Sequence, residues 1–104
     1  MNVKGSLPLL ILDALSKGAS YGYLIAREIK MRSAGVLDFQ EGTLYPALHR
    51  LEKEGWVETY NVKVDGRDRR YYRLTEAGVR ALSDERRSWR AYVNAVDGVL
   101  GDAG

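Results

Sequence analysis

A set of hydroxyl, aromatic, imidazole and cationic side chains recurs at helical spacing between residues 43 and 53. Its members are Thr43, Tyr45, Pro46, His49, Arg50 and Lys53. With about 3.6 residues per turn they share one side of a helix, and the other side is apolar. The apolar side consists of Leu44, Ala47, Leu48 and Leu51. Because such polar groups bind DNA base edges and phosphates, this helix is a candidate nucleic-acid contact. The alternatives are a merely solvated outer face and, for Tyr45, a ring packed beneath the helix.

A second candidate group is cationic. Residues 61–75 hold five Lys or Arg residues against two Asp residues, a local charge of +3, although the whole chain carries only +2. Its candidate phosphate contacts are Lys63, Arg67, Arg69 and Arg70. The alternative is a charged, solvated loop. Tyr71 and Tyr72 alternate between the two faces of the same predicted strand, and we expect Tyr72 to point inward with Leu74.

The residues that could support catalysis or hold a metal are few. His49 is the single histidine and the chain has no cysteine. His49 and Glu52 lie on neighbouring helical positions, but a metal site needs more ligands. No nucleophile motif and no phosphate-binding glycine loop is present. We therefore expect no catalytic residues, no metal site, no cofactor and no enzymatic activity.

The last part of the chain carries an apolar seam. Apolar residues alternate at steps of three and four, with Arg86 in the one position that is not apolar. Such a heptad pattern predicts a helix that pairs with a second copy. The predicted dimer interface comprises Leu7, Leu10, Ile11, Leu82, Trp89, Tyr92, Val93, Val96 and Leu100. Trp89 and Tyr92 could also form a slot for a planar aromatic effector across the two-fold axis, although packing in the interface is the simpler interpretation.

Four helices and a hairpin must position these groups. The first helix follows Ser6 and ends at Gly18, and Ser20 is predicted to cap a second that continues to about Arg32. The third is expected to start near Gly42 or Thr43, because Pro46 suits the first turn.

From Trp56 the apolar period becomes two, which predicts a hairpin around Asp65 and Gly66. Its loop is expected to exceed two residues slightly, so that a basic tip projects into solvent. Thr75 is predicted to cap the last helix. The fold class is mainly α with a small β-hairpin. Residues 1–75 are predicted to be a DNA-binding domain and residues 76–104 a C-terminal dimerisation helix.

Composition limits the class of protein. The chain has 104 residues, of which 45% are hydrophobic and 29% charged, as in one globular domain. The longest apolar run, residues 7–12, is too short to cross a membrane. The absence of cysteine suits a reducing compartment, so we expect a cytoplasmic protein with no membrane partner.

Three segments resemble the PadR family of transcriptional regulators. They are SYGYLI at residues 20–25, GTLYPALHRLE at 42–52 and RYYRLTEAG at 70–78. The resemblance implies a winged helix-turn-helix. It also implies a homodimer that binds double-stranded DNA and represses transcription. It implies that the third helix enters the major groove and that the basic hairpin, the wing of this fold, touches the DNA backbone or the minor groove. It further implies that the last helix, helped by the first, mediates dimerisation. Leu24 and Asp68 depart from residues common in the family.

The rival interpretation is a small-molecule-sensing or protein-interaction module that kept this fold without specific DNA binding. The modest net charge of +2 favours it. The clustered arginines and the polar face of the third helix favour DNA.

Overall fold

Four α-helices and a small antiparallel sheet make up the chain in the computed structural model, which describes residues 3–101. A 3-10 turn at Val3–Ser6 leads into α1 (Leu7–Leu15), β1 (Ser20–Tyr21), α2 (Gly22–Arg32), α3 (Glu41–Lys53), β2 (Val57–Val64), β3 (Arg67–Leu74) and α4 (Glu76–Leu100). The sheet order is β1-β3-β2. The predicted class, mainly α with a β-hairpin, is confirmed, and the strand β1 is an addition.

The strand β1 corrects the predicted start of the second helix. Ser20 was expected to cap α2, but the helix begins at Gly22, after Tyr21 with extended backbone (φ −116, ψ 163). Ser20 pairs with Tyr72, and Tyr21 with Tyr71. The extended backbone that precedes a helix has thus found a partner at the edge of the hairpin. A strand of two residues is too short to show the alternating pattern from which a strand is predicted.

The hairpin turn is tighter than expected. Strand β2 ends at Val64 and β3 begins at Arg67, so only Asp65 and Gly66 form the turn. Their φ angles are 52 and 78, as a two-residue hairpin of the type I′ class requires. Arg67 and Asp68 therefore belong to the strand, and the prediction of a longer loop is wrong.

The α3 helix also starts slightly earlier than predicted. Gln40, with extended backbone, precedes it, and its carbonyl accepts hydrogen bonds from the N–H groups of Thr43 and Leu44. Pro46 is consequently the sixth helical residue, beyond the first turn. Because proline has no N–H, the helix omits one internal hydrogen bond there.

The core lies between α1, α2, α3 and the sheet, and it includes the first turns of α4. Leu44, Leu48 and Leu51 of α3 are buried, as the apolar stripe predicts, and Tyr72 is buried as expected. Thr75 caps α4, since its hydroxyl oxygen accepts the Gly78 N–H at 3.0 Å. That predicted cap is confirmed.

Three residues predicted for a dimer interface belong to this core instead. The exposed fractions of Leu7, Ile11 and Leu82 are 2%, 0% and 6%. They pack within the subunit, where α1 and the first turns of α4 lie against each other. These three side chains therefore offer almost no contact area to a second copy, and the dimer interface as a whole stays a prediction.

Candidate nucleic-acid interface

The outer face of α3 presents most of the side chains that the sequence singled out. The burial of the leucine stripe turns Pro46, His49, Arg50 and Lys53 toward solvent, and all four are exposed. Thr43 is half-buried near the start of the helix. Exposed donors on a helix of 13 residues have the reach to enter a groove of DNA.

Tyr45 differs from the other members of this face because its ring packs against α2. The ring lies on Gly22, where an added Cβ would be 2.6 Å from the Tyr45 hydroxyl oxygen. Glycine at position 22 thus leaves the space that the Tyr45 ring occupies against α2. Tyr45 is half-buried, which agrees with the alternative that its ring is a packing element.

The hairpin displays its basic residues on two faces. Arg67 and Arg69 alternate with Asp68 and Arg70 along β3, so the two pairs point to opposite sides of the sheet. Arg70 lies on the side of the buried Tyr72, and its guanidinium is near the Tyr72 hydroxyl. Lys63 pairs in register with Asp68 on that side. The predicted basic cluster is therefore divided between two surfaces.

The hydroxyl of Tyr72 has a raised pKa. Burial raises its pKa above the ordinary value of 10.0, and the neighbouring Arg70 guanidinium opposes part of that rise. Glu52 of α3, which accepts a hydrogen bond from Thr59 of β2 at 3.2 Å, also lies near it. The inner side of the hairpin is in this way attached to α3.

The opposite, outer side carries arginines stacked on tyrosines. The Arg69 guanidinium carbon lies 4.5 Å from the centroid of the Tyr21 ring, and that of Arg73 lies 4.8 Å from the Tyr60 ring. Arg73 also forms a 2.7 Å ion pair with Glu58. Such contacts restrict the orientation of the guanidinium groups.

One cavity brings several of the candidate residues together. It has a volume of about 380 Å³ and lies where the start of α2, the middle of α3 and β3 meet. Its lining includes Tyr45, His49, Arg69 and Arg70, which the sequence had singled out. Thr43, Arg50, Lys53, Lys63 and Arg67 lie outside this lining.

The same lining contains residues that sequence reasoning did not assign to a site. They are Tyr21, Gly22, Tyr23 and Tyr72. The SYGYLI segment that contains three of them supported the family resemblance, yet nothing in its spacing indicates that it adjoins the hairpin. That proximity arises from the pairing of β1 with β3.

The second half of α4 carries a separate apolar surface. Tyr92, Val96 and Leu100 are exposed, and Trp89 and Val93 are half-buried. The Trp89 and Tyr92 rings are 5.9 Å apart, beside a groove of about 260 Å³ that Leu9 also lines. Leu10 of α1 remains half-buried.

The Asp13 carboxylate ties α4 to the helices of the core. It accepts hydrogen bonds from Arg86 of α4 and, at 3.5 Å, from Arg32 at the end of α2. Arg86 is the residue that interrupts the apolar seam. Its charge thus has a partner on α1, and the same carboxylate links α4 to the end of α2.

Two general findings concern the described residues as a whole. Within residues 3–101 no set of three or more acidic or histidine side chains is arranged to hold a metal ion. No helix in the same range has the length and apolar character needed to cross a membrane.

Comparison with known proteins adds independent information. A family model described as the transcriptional regulator PadR-like family matches residues 11–84. The chain is 38% identical to a transcriptional regulator of Mycobacterium tuberculosis over 85 residues, which cover 82% of this chain and 77% of that protein.

Solved structures resemble the fold over nearly its full length. A transcriptional regulator from Clostridium thermocellum superposes with a TM-score of 0.87 and 30% identity, covering 92% of this chain and 94% of that one. A PadR family transcriptional regulator from Eggerthella lenta gives a TM-score of 0.83 and 28% identity, with 94% and 84% covered.

Proposed function

The chain belongs to the PadR-like family of transcriptional regulators, and on this basis we propose that it is a homodimeric repressor that binds a near-palindromic DNA operator. In this proposal residues 1–75 bind DNA and residues 76–104 provide the dimerisation helix. The observation that carries it is the cavity at which His49 of α3 meets Arg69 and Arg70 of the β2–β3 hairpin, hereafter the wing.

The α3 helix is proposed to read the operator. Its exposed His49 and Arg50 offer hydrogen-bond donors to base edges, and Lys53 lies one turn further along. Thr43 near the start of the helix completes this reading face. Tyr45 supports the face from beneath through its packing on Gly22.

The wing is proposed to bind the phosphate backbone. Lys63, Arg67 and Arg70 are exposed on its two strands, so each can neutralise a phosphate. Such contacts add affinity for any DNA and release counterions, whereas base contacts add sequence preference.

The exposed apolar residues of α4 support dimerisation. Val96 and Leu100 expose 36% and 71% of their surface, and Tyr92 exposes 51%. Burial of such a stripe against a second copy is the usual means by which a small domain covers its apolar area. Two α3 helices about 34 Å apart, one turn of B-DNA, would then read two half-sites.

A fluorescence anisotropy titration with fragments of genomic DNA at two salt concentrations tests this function. We expect some fragments to bind much more tightly than random DNA, and all binding to weaken as salt rises. Selection of bound fragments from a random pool would then give the operator. If no fragment binds even at low salt, the chain is a sensing or protein-interaction module instead.

A second role, as an effector sensor, rests on the groove at Trp89 and Tyr92. Two aromatic rings 5.9 Å apart beside a groove suit a planar aromatic compound. The bound compound would change the packing of α4, and Asp13 would carry that change toward α2 through Arg86 and Arg32.

A further inference from the structure

Three tyrosines form a row across the outer face of the sheet. Tyr71 of β3 lies between Tyr21 of β1 and Tyr60 of β2, with ring centroids 5.4 Å and 5.9 Å away. The register explains the row, because Tyr71 is the pairing partner of both other tyrosines. This aromatic row therefore joins the start of α2 to the wing.

An arginine lies over each end of the row, and the two arginines have different surroundings. Arg73, over Tyr60, is neutralised by Glu58 at 2.7 Å. Arg69, over Tyr21, has no carboxylate oxygen within 4.0 Å among residues 3–101. The residue opposite Arg69 on β2 is the uncharged Val62.

This difference has a chemical consequence. A carboxylate partner occupies the N–H donors of a guanidinium and cancels its charge. A tyrosine ring attracts the guanidinium through its neutral face. The charge and the in-plane N–H donors of the guanidinium then remain available to an anion. Arg69 thus retains both, and it is only half-exposed at the lining of the cavity that His49 and Arg70 share.

We propose that Tyr21 is a positioning residue that holds Arg69 at this cavity, where the guanidinium binds one phosphate of the DNA backbone. The inference rests on the proposed function and extends it to a residue outside α3 and the wing. Tyr21 sits at the junction of β1 and α2, and it lines the same cavity as His49 of the reading helix. Tyr60 and Arg73 have a similar stacking distance, but Glu58 accepts a hydrogen bond from Arg73 Nε and offsets its charge, so the proposal assigns no phosphate to this pair.

The test compares Tyr21→Leu, Tyr21→Phe, Arg69→Ala and the double variant Tyr21→Leu/Arg69→Ala. Binding to a fluorescein-labelled random-sequence duplex is measured at about 50 mM and about 200 mM KCl, where phosphate contacts dominate affinity. Tyr21→Leu is expected to raise Kd about 2- to 5-fold per wing, as loss of an exposed cation–π contact implies. It should also flatten the salt dependence, because an unpositioned arginine contacts the phosphate for less of the time.

Two features separate positioning from general packing. Tyr21→Phe keeps the ring and should bind like the wild type. In the Arg69→Ala background, Tyr21→Leu should add no further loss, because its effect passes through Arg69. Tyr60→Leu is the matched control and should leave Kd unchanged. Thermal unfolding of each variant checks the fold, and Tyr21→Met replaces Tyr21→Leu if the latter does not fold.

The inference is overturned if Tyr21→Leu binds like the wild type, or if it costs as much without Arg69 as with it. An equal loss for Tyr60→Leu or Tyr21→Phe would overturn it as well. If the wild type itself fails to bind the duplex at low salt, the proposed function fails, and that outcome is distinct from every other.

Discussion

Gly78 in the first turn of α4 lies against the main-chain carbonyl of Trp56. A Cβ added at Gly78 would overlap the carbonyl oxygen and lie 3.0 Å from the carbonyl carbon. The same oxygen accepts the N–H of Thr75 at 3.1 Å, and the Thr75 hydroxyl donates to the carbonyl of Gly55 at 2.6 Å. The end of α3, both ends of the wing and the start of α4 are therefore joined at one point.

Replacing Gly78 by alanine is expected to destabilise the fold. The overlap is with main chain, which cannot turn aside as a side chain can, so we expect a loss of about 1–3 kcal/mol or more in the free energy of unfolding. Urea denaturation measures it. Gly98→Ala in the same helix is the control, because no atom lies within 4 Å of its added Cβ. The free energy of unfolding of that variant should rise by about 0.5–1 kcal/mol. An equal change in the two variants would contradict the close approach of Gly78 to the Trp56 carbonyl.

Substitutions in α3 and in the wing are expected to affect DNA binding differently. Arg67→Ala should weaken binding to operator and random DNA alike and flatten the salt dependence, because it removes a phosphate contact. His49→Ala or Arg50→Ala should reduce the ratio of operator to random affinity, by about 1–3 kcal/mol for a direct base contact. Anisotropy titrations with both DNAs measure this.

Arg87→Ala serves as the control for lost charge in these titrations. Arg87 lies in α4 and pairs with Asp84 on the same helix. It should leave both affinities nearly unchanged. If wing variants altered sequence preference while α3 variants left it intact, the roles assigned to the two elements would be reversed.

A charge in the exposed stripe of α4 should separate the subunits. Val96→Glu places two carboxylates near each other across the proposed interface, and desolvating them costs more than the lost apolar contact. Sedimentation velocity at micromolar concentration should show a monomer. Asn94→Glu, about 160° around the helix and also exposed, should leave the dimer intact. A monomeric wild type would contradict the dimer.

Planar aromatic compounds should quench Trp89 fluorescence if the groove is an effector site. The other tryptophan, Trp56, lies at the α3–wing junction and contributes background, which Trp56→Phe removes. A saturable decrease in a panel of phenolics, flavins and cationic dyes is the expected result, and Trp89→Phe should abolish it. With no saturable response in the panel, Trp89 is left as an interface residue.

Stability is expected to fall at alkaline pH through Tyr72. Burial raises the pKa of its hydroxyl in the folded chain, so the unfolded chain loses the proton first. The part of the free energy of unfolding that depends on the protonated Tyr72 hydroxyl is fully present below about pH 10, the pKa in the unfolded chain. It is lost as the pH rises through the pKa in the folded chain.

Comparison of wild type with Tyr72→Phe isolates this contribution. The stability advantage of the wild type should shrink as the pH rises above about 10. Urea denaturation at successive pH values follows it. A constant difference between wild type and Tyr72→Phe would rule out the assignment.

Much of the fold follows from local patterns. The leucine stripe of α3, the turn at Asp65 and Gly66, and the cap at Thr75 are where the sequence predicted them. Each depends on preferences that act over a few residues: helical periodicity, the tolerance of Gly and Asp for positive φ, and a hydroxyl close to unpaired N–H groups.

The arrangement of the candidate site depended on distant partners. Residues close in sequence favour Ser20 as a helix cap. Its actual partner, Tyr72, lies far away in the chain. Arg86 interrupts the apolar seam, and its partner Asp13 lies 73 residues away in the chain.

The sequence alone therefore determined the family, the types of the longer elements and the residue types that face solvent on α3. Only the tertiary structure decided that Leu82 belongs to the core, that β1 pairs with β3, and that Tyr21 lies beneath Arg69. The reason is that periodicity reveals which side of an element is apolar, but which surface covers that side, or leaves it exposed, is set by packing between segments remote in sequence.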